Sequence, residues 1–208
     1  QAQEMDVYKL AMKYGDYHVA AGVLYEKMAK EPQNPAWKDS LASLYFSSGS
    51  YAQAIMLGSE LLANDPTNRK YLEMIAISES SIGKQKEALA SYEKLYAQTK
   101  SVFHLYQIAS LQYRLTRLGE CNASLDVLQN HPDAEKERVG IIANQGFRQD
   151  VPIKAAVLNM RGVMAMDAKK LSEAKNWFEQ ALKVLPEFAL AKLNLETVKK
   201  DLSKPPGK

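Results

Sequence analysis

Gly15, Gly49 and Gly83 recur at one constant interval, and Ala20, Ala54 and Ala88 keep the same interval, as do Pro32 and Pro66. Three independent columns therefore agree on one register. A fixed period of about 34 residues marks a stacked-repeat architecture, in which each unit is one supersecondary element that cannot bury its apolar face without its neighbours. That constraint governs everything else the chain can do.

Composition agrees. With 208 residues and 46% hydrophobic content the chain can bury a sizeable core in one domain or one repeat array. Its 27 basic and 24 acidic residues leave a formal charge of +3, too balanced for nucleic acid or an anionic membrane to be the expected partner. No apolar run approaches the roughly 20 residues that cross a bilayer. The single cysteine excludes an internal disulfide and leaves the redox compartment open. Gln1-Ala2-Gln3 reads either as the remnant of signal-peptide cleavage or as a trimmed expression product. The expectation is an exported, periplasmic location, with cytoplasm as the alternative.

Each period holds two helical stretches. In the second unit Trp37, Leu41, Leu44, Tyr45 and Ser48 recur at helical spacing, and Tyr51, Ile55, Gly58, Leu61 and Leu62 repeat the pattern. Gly49 between them is suited to the left-handed conformation that ends a helix, and Ser50 with Gln53 reads as a capping box that starts the next. Gly15 followed by Asp16 offers the same stop and start. The second helix stops at Asn64-Asp65-Pro66, where proline cannot continue it. Ala20, Ala54, Ala88 and Ala174 form a column of small residues where paired helices come closest, and Cys121 occupies the same column. Cys121 follows Ala88 at one position less than the repeat interval, so the fourth unit has lost a residue, expected near its turn. The thiol reads as a small buried apolar group before it reads as a reactive one.

At this point the sequence resembles the tetratricopeptide-repeat (TPR) proteins, whose repeats follow W-x2-L-G-x2-Y…A-x3-F…P with the same period. Leu41-Ala42 with Tyr45 matches the first-helix part; Ala88 with Tyr92 and Ala174 with Phe178 match the second. The stretch Asn176 to Pro186 is the cleanest match. The resemblance covers residues 1–34, 35–68, 69–102, 102–135 and 155–188. It implies an all-α, right-handed α–α superhelix of five helix-turn-helix repeats in a single domain, 1–203. Thr116 and Lys169 replace the turn glycine in the fourth and fifth units, so those turns are expected to be less sharply set.

The step from Cys121 to Ala174 exceeds the repeat interval, so an insertion separates the fourth and fifth units. Val139 to Ala143 and Phe147 to Val151 are β-prone segments around Asn144-Gln145-Gly146, which predicts a β-hairpin projecting from the helices within an insertion spanning 136–154. Pro152 then starts the next helix. A helical extension over 134–142 is the rival reading. Past Pro186, the stripe Leu190, Leu195, Val198 and Leu202 predicts a capping helix over 189–203, and 204–208 reads as a disordered tail.

No spacing supplies an active site. His18, His104 and His131 are far apart, fit no zinc pattern, and are expected at surface or cap positions. Phosphate loops, nucleophile elbows and helical metal-binding histidine pairs are missing. The chain is therefore expected to be noncatalytic and to need no metal or cofactor.

A helical repeat array offers instead a concave surface lined by its first helices, along which the family's partners lie as peptides. Projection places Met5, Lys9 and Met12 on that face, then Asp39, Ser43 and Phe46, then Lys70, Glu73 and Ile77. Tyr106, Ser110, Tyr113 and Arg114 follow, then Asn159, Val163 and Met166. Tyr106, Tyr113 and Arg114 are residue types enriched at binding hot spots, although the tyrosines fit packing between helices equally well. The candidate groove residues are thus Lys9, Met12, Phe46, Lys70, Tyr106, Tyr113, Arg114, Asn159 and Met166. Relatives that grip acidic chaperone tails use a lysine–asparagine, asparagine, lysine–arginine pattern. Here those places read Met5 and Lys9, Ser40, then Lys70 and Met74; only Lys70 matches, and no carboxylate clamp is expected. The expected function is a scaffold for a protein or peptide partner. RNA binding by a related helical repeat, or a structural role in an envelope assembly, are the alternatives.

Overall fold

The computed structural model describes residues 2–143 and 146–203. The expected tail over 204–208 and Asn144-Gln145 at the hairpin tip lie outside the described residues. Among the described residues there are eleven α-helices and one β-hairpin, gathered into two compact units, 1–98 and 99–208.

The first unit contains α1 (Ala2–Tyr14), α2 (Tyr17–Lys30), α3 (Pro35–Ser47), α4 (Tyr51–Asn64), α5 (Arg69–Ser81) and all but the last residue of α6 (Gln85–Thr99). Successive helices from α1 to α5 pack against each other, and Ser91 on α6 donates to the Glu79 carboxylate on α5 at 2.8 Å. Ala20, Ala54 and Ala88 are fully buried, as the spacing of their column predicts. Between α2 and α3, the Glu31 carboxylate accepts from Asn34 Nδ2 at 2.9 Å and Trp37 Nε1 at 2.8 Å, which holds its pKa below the ordinary value. The Lys27 ammonium sits 5.8 Å from the centroid of the Trp37 ring.

The second unit contains α7 (Val102–Arg114), α8 (Leu118–Gln129), a 3₁₀ turn over Pro132–Glu135, β1 (Arg138–Ile142), β2 (Arg148–Pro152), α9 (Ile153–Asp167), α10 (Leu171–Val184) and α11 (Ala189–Leu202). β1 and β2 are antiparallel, with Val139 opposite Val151 and Ile141 opposite Gln149. The expected insertion is therefore a hairpin, not a helical extension. It is docked as well as projecting: Val139 and Val151 are buried, and the Gln149 amide donates to Glu187 C=O at 2.7 Å while accepting from Ala189 N–H at 3.0 Å. Toward its far end Ile142 and Phe147 are 68% and 63% exposed. Pro152 closes β2 and caps α9, which begins at Ile153, one residue after the proline expected to start it.

The turns inside the helix pairs differ from expectation in one respect. Thr116 and Lys169 adopt φ of 58° and 60°, close to the 71°, 77° and 78° of Gly15, Gly49 and Gly83. At all five turns the residue after this left-handed position donates its N–H five residues back: Asp16 to Ala11, Ser50 to Tyr45, Lys84 to Glu79, Arg117 to Gln112, and Lys170 to Ala165. This is the Schellman closure, and it is kept where glycine is not. The Asp16 side chain caps α2 through Val19 N–H. Ser50 makes no such bond; its hydroxyl is taken by Ser48 at 3.2 Å, so the expected capping box does not form.

The residue missing before Cys121 is not lost at the turn, where Thr116 precedes Cys121 by the same step that separates Gly15 from Ala20. It is lost from the preceding connection. Ala20 leads its next helix cap, Asn34, by the same distance as Ala54 leads Asn68, but Ser101 follows Ala88 one position sooner. Lys100 there takes φ 54°.

Candidate functional site

In the first unit, the amphipathic spacing of α3 and α5 turns Ser43 and Phe46 toward Lys70, Glu73, Met74 and Ile77, and together they line a cavity of about 390 Å³. Five of these six were placed on the inner face by projection. Asp39 joins them through an ion pair of 2.5 Å with the Lys70 ammonium, so the one lysine that matches the clamp pattern is already partnered. The Tyr71 hydroxyl beside this pair has its pKa raised, by burial first and then by the Asp39 carboxylate.

The second unit holds a cavity of about 400 Å³. One wall is α7, with Tyr106, Gln107, Ser110, Tyr113 and Arg114. The floor comes from α9, with Asn159, Met160 and Val163, and from Leu190 of α11. The opposite wall is β1 from Val139 to Ile142. Tyr106 is 6% exposed, and burial drives its hydroxyl pKa far above the ordinary value. Its ring is core, which corrects the expectation of a side chain presented to a partner. Tyr113 is half-buried; burial, followed by the bond it donates to the Asp167 carboxylate, pushes its pKa up to about 12. Asn159 is buried, with its Oδ1 accepting from Asn194 Nδ2 at 3.0 Å. Arg114 is exposed and is the one charged residue lining the cavity.

The remaining candidates lie elsewhere. Met12 packs against the core cluster containing Ala11, Leu24 and Leu41, and Met166 against the cluster of Ala165, Ala174, Phe178 and Val198. Lys9 is exposed on α1 and lines neither cavity. Sequence reasoning found the hairpin but not that β1 walls the α7–α9 cavity.

The histidines divide. His18 is exposed and His131 caps the 3₁₀ turn through Asp133 N–H, both as expected. His104 is buried at 8% exposure and bonded through Nδ1 to Thr99 Oγ1 at 2.8 Å, against the expectation of a surface or cap position. No three His, Cys, Asp or Glu side chains among the described residues could together hold a metal. Cys121 is fully buried, and burial raises its thiol pKa to about 11.

These paired helices, Schellman turns and small-residue columns define an α-helical repeat protein. The fold is that of the TPR proteins, shared with solved TPR structures. A tetratricopeptide repeat protein from Parabacteroides merdae superposes with a TM-score of 0.67 at 18% identity, over 98% of this chain and 73% of its own. YrrB, described as a TPR protein with an unusual peptide-binding site, gives 0.67 at 11% identity over 93% and 90%. MamA gives 0.62 at 14% over 100% and 97%. At these identities the likeness establishes the fold. No family model matches the chain. A curated relative, human Protein O-mannosyl-transferase TMTC1, is 24% identical over 176 residues, which is 74% of this chain and 20% of that protein. The chain thus spans a fifth of that relative's length. No helix among the described residues is long and apolar enough to cross a membrane.

Proposed function

We propose that the chain is a noncatalytic interaction module whose second unit receives a segment of a protein partner in the cavity between α7, α9 and β1. The observation that carries this reading is the composition of that cavity. Its floor is apolar apart from Asn159, whose Oδ1 is already bonded to Asn194, its walls are regular elements, and its one charge, Arg114, has no ion-pair partner among the described residues. Binding sites are concave and mostly apolar, with a few placed polar groups. The peptide-binding site named for YrrB, which has the same fold, adds support. An RNA-binding groove would be basic, whereas the cavity of the first unit includes Glu73 and a lysine neutralised by Asp39.

A photo-crosslinking side chain at Ser110 tests the reading, with a peptide mapped from the captured partner used in competition. Capture should be blocked by that peptide and lost in Val163→Arg, which fills the floor. Capture that survives Val163→Arg would refute the site.

A further inference from the structure

The hairpin has two edges, and they are not equivalent. Ala143 N–H donates to Phe147 C=O, and Ile153 N–H donates to Glu137 C=O. With the register of β1 on β2, these bonds place residues 137, 139, 141 and 143 in the pairs that exchange hydrogen bonds. The backbone N–H and C=O groups of Arg138, Gly140 and Ile142 therefore point away from β2. Among the described residues, none of these outward groups is bonded to another part of the chain.

The outer edge of β2 is blocked by contrast. Pro152 has no N–H to offer, and the outward C=O of Asp150 accepts from the Arg138 guanidinium at 2.9 Å. Proteins protect exposed strand edges in this way. The unprotected edge is the one that borders the cavity: Val139, Gly140, Ile141 and Ile142 of β1 line it, and no residue of β2 does.

Across the cavity, Arg114 is the sole charged lining residue, and Gln107 and Ser110 beside it have side chains with no partner among the described residues. A strand lying along β1 would alternate its side chains between the two faces of the enlarged sheet. One row would meet Met160, Val163 and Leu190. A carboxylate near the α7 side would meet Arg114, and no acidic residue lines the cavity to oppose it.

We infer that the partner segment enters the cavity as an extended strand added to the outer edge of β1, with an acidic side chain bound by Arg114. This rests on the cavity being the partner site, and adds how the partner is read. Main-chain pairing with Gly140 and Ile142 supplies affinity; the apolar floor and Arg114 supply selectivity. Gly140 carries no side chain, and the Arg148 guanidinium of β2 fills the space that one would take on that face of the hairpin, leaving the outward backbone groups of Gly140 free to pair.

The probe is a fluorescein-labelled heptapeptide alternating valine and threonine around a central glutamate. Its counterparts carry lysine or glutamine at the centre, and two further versions are N-methylated on one or the other alternate set of residues. Measured by fluorescence anisotropy on the full chain, the glutamate peptide should bind about tenfold or more tighter than the lysine peptide. One N-methylated set should weaken binding by about tenfold or more and the other should not, because only alternate residues face β1. Arg114→Glu should reverse the preference between glutamate and lysine. Failure of the glutamate peptide to bind, equal effects of the two N-methylated sets, or occupation of the edge by a second copy of the chain would overturn strand addition. If N-methylation is neutral while Val163→Arg abolishes binding, the cavity stands as the site and the strand pairing falls. Peptide binding that ignores Val163→Arg removes the cavity itself.

Discussion

Gly162 of α9 lies so close to the ring of Phe178 on α10 that a methyl group at Gly162 would overlap that ring. Both residues are buried, and Phe178 is fully so. At the same offsets the third repeat has Ala76 with Tyr92 and the fourth Ala109 with Leu125, whereas here glycine stands opposite phenylalanine. Ala42 corresponds to Gly162 in the second repeat and Gly58 to Phe178, and there the space is filled from the next helix by Met74 and Ile75.

Gly162→Ala tests this directly. Alanine is favoured over glycine inside a helix by about 1 kcal/mol, so a gain would be expected if space were free. The overlap with a buried ring reverses the sign, and a net loss of about 1–3 kcal/mol is expected. Chemical denaturation measures it, and Phe178→Leu combined with Gly162→Ala should cost less than the sum of the two single changes.

Thr116 and Lys169 hold left-handed backbone that glycine holds at no steric cost. Thr116→Gly and Lys169→Gly should each raise the melting temperature, for a gain of up to about 1 kcal/mol. Gly49→Ala, at φ 77° with open space around its Cα, should lose about as much. Thermal unfolding followed by circular dichroism compares all three. A drop in both glycine variants would mean that the threonine and lysine side chains stabilise these turns.

These turns show where the sequence was readable. The repeat period, the alanine column and the turn positions follow from packing rules that act on every repeat alike, so they recur in the sequence as they do in space. Buried polar pairs were not legible. Ser91 bonds Glu79 at 2.8 Å, and Ser124 bonds Gln112 at 2.8 Å at the equivalent place in the next repeat, yet serine, glutamate and glutamine read as solvent-facing in a helix. The candidate site was half legible for the same reason. Helical projection gathers Ser43, Phe46, Lys70, Glu73 and Ile77 because they obey one period. It cannot tell that Tyr106 is buried, nor that a non-repeating hairpin walls the cavity, because those depend on contacts between segments distant in sequence.

Three tyrosines give the protein an alkaline limit. Tyr45, Tyr92 and Tyr113 have pKa values pushed from the ordinary 10 up to about 12, in each case chiefly by burial. A folded-state value above the unfolded one means that the unfolded chain ionises first. Stability is therefore whole below pH 10 and falls as the pH rises through 12. Denaturation midpoints should decline across that window, together with delayed tyrosinate absorbance relative to unfolded protein. Tyr113→Phe should reduce the decline in the second unit, and a flat profile across the window would show that these hydroxyls ionise freely in the folded state.

Cys121 should be inert. Its thiol is fully buried, is raised to about 11 by burial, and lies 3.8 Å from Met164 Sδ. Since the thiolate is the nucleophile, a thiol-reactive disulfide reagent at pH 8 should label the native chain far more slowly than the denatured chain. Labelling at equal rates would place the sulfur at a surface.

Tyr106 and Arg114 stand in one cavity wall on the same helix, yet their truncations should behave differently. Tyr106 is buried at 6% exposure, so Tyr106→Ala removes a large core ring and should cost about 3–5 kcal/mol, as large-to-small core changes of aromatic residues do. Arg114 is exposed, without a partner among the described residues, and Arg114→Ala should leave stability within about 0.5 kcal/mol. Partner capture should fall in both variants, through unfolding in the first and through loss of a contact in the second. Measuring melting temperature and capture on the same preparations separates the two causes. Tyr106→Phe sharpens the comparison, because it keeps the ring and removes only the hydroxyl: capture retained in Tyr106→Phe and lost in Arg114→Ala would assign recognition to the guanidinium and architecture to the ring.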